Sequence, residues 1–203
     1  MIQPKPYVIT IVGPESSGKT TLARELADRY GCPWVPEFAR EYLDSLGRDY
    51  QEEDLVLIAK GQIDSIDQKM ATISPLKMNF IPDLESNTLH SIVFQSHAEL
   101  KERNQLKGKS LLPFYREPYG DAPRPMLIVD GGMLTIRVWA MIKFGMSIPI
   151  VEEALATDVT SMYILCRPVY KWEPDPLREA PSLLNRAWIY NQYLKELVTI
   201  PVM

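Results

Sequence analysis

The chain has 203 residues, 46% of them hydrophobic and 24% charged, with a formal net charge of -4. That length suits one α/β domain spanning residues 1–203, with room for an inserted subdomain, and it is long enough to bury a substantial core. The mild negative balance excludes a general electrostatic attraction to nucleic acid or anionic membrane, so any affinity for phosphate has to be local.

The first apolar run, Tyr7 to Val12, is β-branched and nearly continuous. That pattern predicts a central parallel strand buried on both faces. It is too short for the apolar core of a secretory signal, and Cys32 and Cys166 sit in no C-x-x-C or Cys/His cluster. A soluble, cytoplasmic protein without disulfide or zinc site is therefore expected.

The strand runs directly into Gly13-Pro14-Glu15-Ser16-Ser17-Gly18-Lys19-Thr20-Thr21 and then Leu22-Ala23-Arg24-Glu25-Leu26-Ala27. Strand, glycine-bounded loop and helix follow in the order that G-x-x-x-x-G-K-[ST] requires. Gly13 and Gly18 let the backbone curl its N–H groups inward, and the following helix adds the positive end of its dipole at the same point. Glu15, Ser16, Ser17 and Thr21 complete this cradle for the phosphates of ATP. Lys19 supplies a mobile charge to the β and γ phosphates, and Thr20 a hydroxyl for the accompanying Mg²⁺. The helix is predicted from Lys19 to about Tyr30, with Leu22, Leu26 and Tyr30 on one face and Gly31 closing it.

Trp34-Val35 predicts a short second strand, followed by a helix carrying Glu37, Arg40 and Glu41. In a doubly wound sheet the carboxyl end of that strand faces the ligand crevice. Glu37 and Arg40, three apart, either project together into it or form a surface ion pair. Glu52-Glu53-Asp54 opens a further helix running to about Ile73, with Leu55, Ile58, Gln62, Ile66 and Met70 on one stripe. Gln62, polar on that stripe, reads as a satisfied hydrogen-bonding group or a weak ligand contact.

Residues 76–125 lose this regularity. Leu76 to Pro82 reads as extended, Leu89 to Phe94 as apolar and Ser96 to Lys109 as helical, before Pro113, Pro118, Pro123 and Pro125 break the chain. So long a connection is expected to be an inserted subdomain, open to a protein partner or self-association, and His90 and His97 within it read as surface residues.

Met126 to Asp130 predicts a second central strand whose closing acid is delivered to the crevice, the Walker B arrangement, with Gly131-Gly132 turning the chain. Helices are expected at 134–144 and 149–156, and a strand at Met162 to Cys166. The proline- and charge-rich stretch from Arg167 to Glu179 has the composition of a lid, with Arg167, Lys171 and Arg178 placed to neutralise transferred phosphate. A final helix is predicted from Leu183 to Leu197, then an edge strand from Val198 to Val202.

The phosphate loop, Pro36-Glu37-Phe38-Ala39-Arg40-Glu41-Tyr42, Ile58-Ala59-Lys60-Gly61-Gln62 and Trp172-Glu173-Pro174-Asp175-Pro176-Leu177-Arg178 together resemble the NadR-like nicotinamide riboside kinases, a P-loop AAA-type ATPase/kinase family. The resemblance implies an α/β P-loop NTPase fold and transfer of the γ-phosphoryl of ATP to the 5′-hydroxyl of a riboside. It also implies that Lys19 and Thr20 handle ATP-Mg, that Glu37 and Arg40 line the riboside pocket, that Trp34 takes a stacking role beside it, and that Arg178 belongs to the lid. Asp130 is then assigned to the metal and Glu37 to the ribose or to proton removal. Family members read D-T-D where this chain has Asp130-Gly131-Gly132. The missing second acid implies weaker activity or a different acceptor, and keeps open an ATP-binding regulatory protein as the alternative function. No guanine-reading N-K-x-D or ABC-type L-S-G-G-Q segment occurs.

Overall fold

In a computed structural model, which describes residues 6–73, 125–175 and 177–200, strand β1 (Tyr7–Val12) lies inside a parallel sheet. β3 (Met126–Asp130) flanks it on one side, in register from Tyr7 opposite Met126 to Ile11 opposite Asp130. β4 (Thr160–Leu165) flanks it on the other, and β2 (Trp34–Val35) pairs with the far edge of β3, giving the order β2-β3-β1-β4. This crossover pattern puts the carboxyl ends of β1 and β3 side by side, so the phosphate loop and Asp130 emerge as neighbours.

Alternate residues of the strands feed opposite faces of the sheet. Ile9, Ile11, Ile128 and Ile164 pack under Leu22, Ala23, Leu26 and Ala27 of α1 (Lys19–Tyr30). On the opposite side Val8, Val35, Leu127 and Val129 meet Ile66, Met70 and Ile73 at the end of α3 (Glu52–Thr72). Val12 and Leu165 join a larger cluster built from α3, α4 (Gly132–Phe144), α5 (Pro149–Ala156) and α6 (Leu183–Thr199). α2 (Phe38–Leu46) has no fully buried residue and packs on α3.

α1 and α3 follow the expected boundaries closely, and Gly31 closes α1 in the left-handed region at φ 59° while Cys32 N–H returns to Ala27 O at 3.0 Å. Two expectations change. Glu37 is the cap residue before α2, not a member of it. Val198 and Thr199 extend α6 instead of opening an edge strand, and Ile200 N–H still reaches Glu196 O at 3.2 Å. Their β-branched side chains favour a strand only where a sheet edge is there to receive them, and the helix is instead ended by the approach to Pro201, which disfavours helical backbone in the residue before it. The segment from 76 to 124, including His90 and His97, lies outside the described residues, as do 201–203.

Candidate active site

The loop between β1 and α1 is shaped by close approaches that side chains would block. Gly13 sits at φ 144°, and a Cβ there would come within 2.6 Å of Cys166 O at the end of β4. Gly18 caps α1 at φ 83°, and Ser16 adopts φ 52°, the one positive φ outside glycine among the described residues. A serine held in the left-handed region costs free energy that the surrounding loop has to impose. The hydroxyls of Ser16 and Ser17 are buried without a hydrogen-bond partner. Lys19 Nζ donates to Pro14 O at 3.0 Å, folding its charge back over the loop.

Thr20, one residue inside α1, sets its hydroxyl near Asp130 at the end of β3. Asp130 Oδ1 has no partner although the residue is buried. Its carboxyl is pushed above the ordinary range, chiefly by loss of solvent, with Lys19, the Thr20 hydroxyl and Arg24 pulling the other way. A hydroxyl and a half-satisfied carboxylate side by side fit a hard cation that takes one or two protein oxygens and completes its shell with phosphate and water. Among the described residues no cluster of three or more His, Cys, Asp or Glu could hold a metal as a protein-only cage.

Glu37 reaches the same place from the other side. Its carboxyl lies close enough to Gly131 that a Cβ there would sit 3.2 Å from Glu37 Cγ and 3.3 Å from Oε1. Burial raises its pKa, Lys19 and Arg40 counter the shift, and Asp130 and Glu15 add to it. The position is fixed by Gln62 of α3, which clamps both neighbours: its Oε1 accepts from Phe38 N–H at 2.7 Å and its Nε2 donates to Pro36 O at 3.3 Å. Gly61 makes room for this, since a Cβ there would fall 2.2 Å from the Phe38 ring. Gln62 thus acts on the site through backbone while also bordering the cavity, and its role as a satisfied core amide accounts for its place on an apolar stripe.

These groups open onto one cavity of about 350 Å³. One end is formed by Glu15 to Thr21 and Asp130, the other by Ala39, Leu43, Leu55, Ile58, Ile136 and Trp139, with Glu37, Arg40 and Trp34 between. The apolar end went unread in the sequence because its residues are contributed at helical spacing by three helices and look like ordinary core. Trp34 carries the Arg24 guanidinium 5.2 Å from its ring centroid.

Of the three lid cations, Arg178 borders the cavity, donating through Nη1 to Glu173 O at 2.7 Å. Arg167 lies 6.0 Å from the centroid of the Tyr190 ring, and neither it nor Lys171 borders the cavity. Arg40 pairs with Asp175 at 2.5 Å and more loosely with Asp44 at 3.7 Å, not with Glu37. Burial works to raise the Asp175 carboxyl, but the Leu177 N–H and Arg40 outweigh it and leave the pKa lowered. Asp175, the counter-ion of Arg40, was not a sequence candidate, because nothing local marks a carboxylate for a partner 135 residues away.

The model of a family described as an AAA domain matches residues 8–76. The tRNA dimethylallyltransferase of Parasynechococcus marenigrum (strain WH8102) is 46% identical over 41 residues, 20% of this chain and 14% of that protein. A crystal structure of NadR protein in complex with NR superposes with a TM-score of 0.60 at 17% identity, covering 98% of this chain and 44% of that one. A second, of NadR protein with NAD and AMP-PNP, gives 0.57 at 17% identity, over 98% and 42%. The chain therefore spans less than half the length of the NadR structures it matches. The loop, the parallel sheet and these likenesses establish an α/β P-loop NTPase fold like that of NadR.

Proposed function

We propose that the chain is an ATP-dependent small-molecule kinase that phosphorylates the 5′-hydroxyl of nicotinamide riboside in cytoplasmic NAD salvage. The observation that carries this reading is the meeting of two carboxylates, Glu37 and Asp130, with Lys19 at the mouth of the phosphate loop, at the head of a cavity whose far end is apolar and aromatic. Phosphoryl transfer asks the protein mainly for positioning and charge neutralisation. The loop N–H groups and Lys19 take the phosphates, and Arg178 closes over them. Thr20 and Asp130 would hold Mg²⁺, which would supply positive charge to the phosphates during transfer. Glu37 receives the acceptor hydroxyl; its raised pKa makes it a better proton acceptor in the transition state than a solvated carboxylate. A planar base on the acceptor fits the wall formed by Trp139, Ile136 and Leu55, with Trp34 and Arg40 nearer the sugar. The NadR structure with NR supports this choice of acceptor over other nucleosides.

The test is an assay of ADP release with nicotinamide riboside and a panel of nucleosides. Turnover with the riboside at least tenfold above the no-acceptor rate is expected. ATP binding with no acceptor-dependent ADP release from any nucleoside would reject the reading in favour of a regulatory ATP-binding protein.

A further inference from the structure

A glutamate inside a phosphate-binding loop is electrostatically out of place, because its charge opposes the ligand the loop exists to hold. The structure shows where that charge goes. Glu15 Oε1 accepts from the Glu179 N–H at 2.8 Å and Oε2 from the Ala180 N–H at 3.0 Å, spanning more than 160 residues of sequence. Two adjacent backbone donors taken by the two oxygens of one carboxylate form a charge-assisted clamp with a defined direction. The clamped residues directly follow Arg178, which borders the cavity. Glu179 is held from the other side by Lys143 Nζ at 2.7 Å, so its backbone is fixed at both its amide and its side chain.

We propose that Glu15 is a positioning residue, which latches the segment after Arg178 to the phosphate loop and thereby sets Arg178 over the nucleotide phosphates. The proposal rests on the kinase reading for the role of Arg178, although the latch itself does not. The latch makes closure of the lid a property of the loop: whatever moves residues 13–18 also moves Arg178. It also gives the loop glutamate a function that needs no contact between its carboxylate and the nucleotide.

Two measurements on the full chain test it. Trypsin cleaves after Arg178 at the bond whose N–H is the Glu179 donor to Glu15, so the latch shields that bond. Cleavage there, followed by mass spectrometry, is expected to rise at least tenfold in Glu15→Ala, which loses both bonds, and by less in Glu15→Gln, which keeps one acceptor oxygen. Titration with the fluorescent analogue mant-ATP in the presence of Mg²⁺ is expected to show Glu15→Ala and Arg178→Ala each weakening binding about tenfold, with the double variant no worse than Arg178→Ala alone. An unchanged cleavage rate at Arg178 in both Glu15 variants would overturn the latch. Losses that multiply in the double variant would overturn positioning through Arg178. Should Glu15→Ala fail to fold, Glu15→Gln carries the same comparison. Absence of mant-ATP binding by the unaltered protein would overturn the kinase reading and the assignment of Arg178 with it, while the cleavage comparison would still report on the latch.

Discussion

Restoring the missing acid by Gly132→Asp is expected to destabilise the protein without raising its activity. Gly132 begins α4 at φ 71°, and a Cβ on that backbone would lie 3.0 Å from Thr10 Cγ2 and 3.7 Å from Val129 Cγ1. Gly132 borders the cavity, but a side chain there starts against the sheet. A left-handed backbone costs a non-glycine residue about 1 kcal/mol. Pushing Thr10 aside adds about 1–3 kcal/mol, the usual range for an overpacked site. Thr10 has little freedom to give way, because its hydroxyl is bonded to the Thr160 hydroxyl across β1 and β4 at 2.7 Å. The sum is about 2–4 kcal/mol, which for a chain of this size lowers the melting temperature by roughly 4–16 °C. Thermal melting of Gly132→Ala isolates the backbone and Cβ contributions, and Gly132→Asp is expected to lose at least as much, since its carboxylate is also desolvated. A Gly132→Asp protein that melts with the unaltered one and turns over faster would refute the reasoning and restore the view that this position lacks a catalytic acid.

The ascending limb of kcat/KM against pH is expected above the ordinary carboxylate range, because Glu37 has to be ionised to accept a proton and burial raises its pKa. Arg40→Gln removes a positive charge that favours ionised Glu37, so the limb moves to higher pH; movement to lower pH would exclude Glu37 as the titrating base. Gln62→Leu strands the Phe38 N–H and Pro36 carbonyl and is expected to cost about 1–3 kcal/mol in denaturant unfolding, with a fall in kcat as Glu37 loosens; full stability would show that the clamp is dispensable. Asp54 accepts from both Arg48 nitrogens, from Tyr42 and from Gln51 N–H, and its pKa is lowered, with the Arg48 bonds the largest cause. A lowered carboxylate stabilises the fold above its unfolded pKa of about 3.9 and loses that contribution as pH falls toward the folded value. Asp54→Asn is therefore expected to melt lower than the unaltered protein at pH 7 and to show a shallower decline between pH 5 and pH 2.

What the sequence disclosed follows the range over which each feature is determined. β1, the phosphate loop and α1 are set by contiguous residues, with apolar strand, two glycines and a four-residue stripe each carrying its own signal, so their boundaries could be read. Glu37 was legible as a candidate but not as a helix cap, because its position depends on Gln62 and Gly61, more than twenty residues on. Arg40 was legible as a charge near the crevice, whereas its partner was not: Asp175 lies in a proline-rich stretch whose local pattern says only that it is rigid. Val198 and Thr199 misled for the opposite reason, since their strand preference is local and the helix begun at Leu183 ran on through them. The apolar end of the cavity illustrates a further limit, as Leu55, Ile136 and Trp139 differ from core residues only in what they fail to touch.

The cations around the cavity differ in how readily they can be taken by a ligand, and the difference orders the events of binding. Lys19 is held by a neutral carbonyl, Pro14 O, which brings no opposing charge of its own. Arg40 is held by the carboxylate of Asp175 at 2.5 Å, and its pKa is raised by that bond above all. On the kinase reading, a triphosphate entering the loop would take Lys19 from Pro14 O, while Arg40 keeps Asp175 and the start of the lid in place. Capture of Lys19 also draws away the largest counter-charge acting on Glu37 and Asp130. On the kinase reading, Glu37 and the buried Asp130 would then keep less opposing charge, which a divalent cation held by Asp130 would replace, tying metal binding to arrival of the nucleotide. On that reading nucleotide and metal would load as one unit at the loop before Glu37 meets an acceptor hydroxyl.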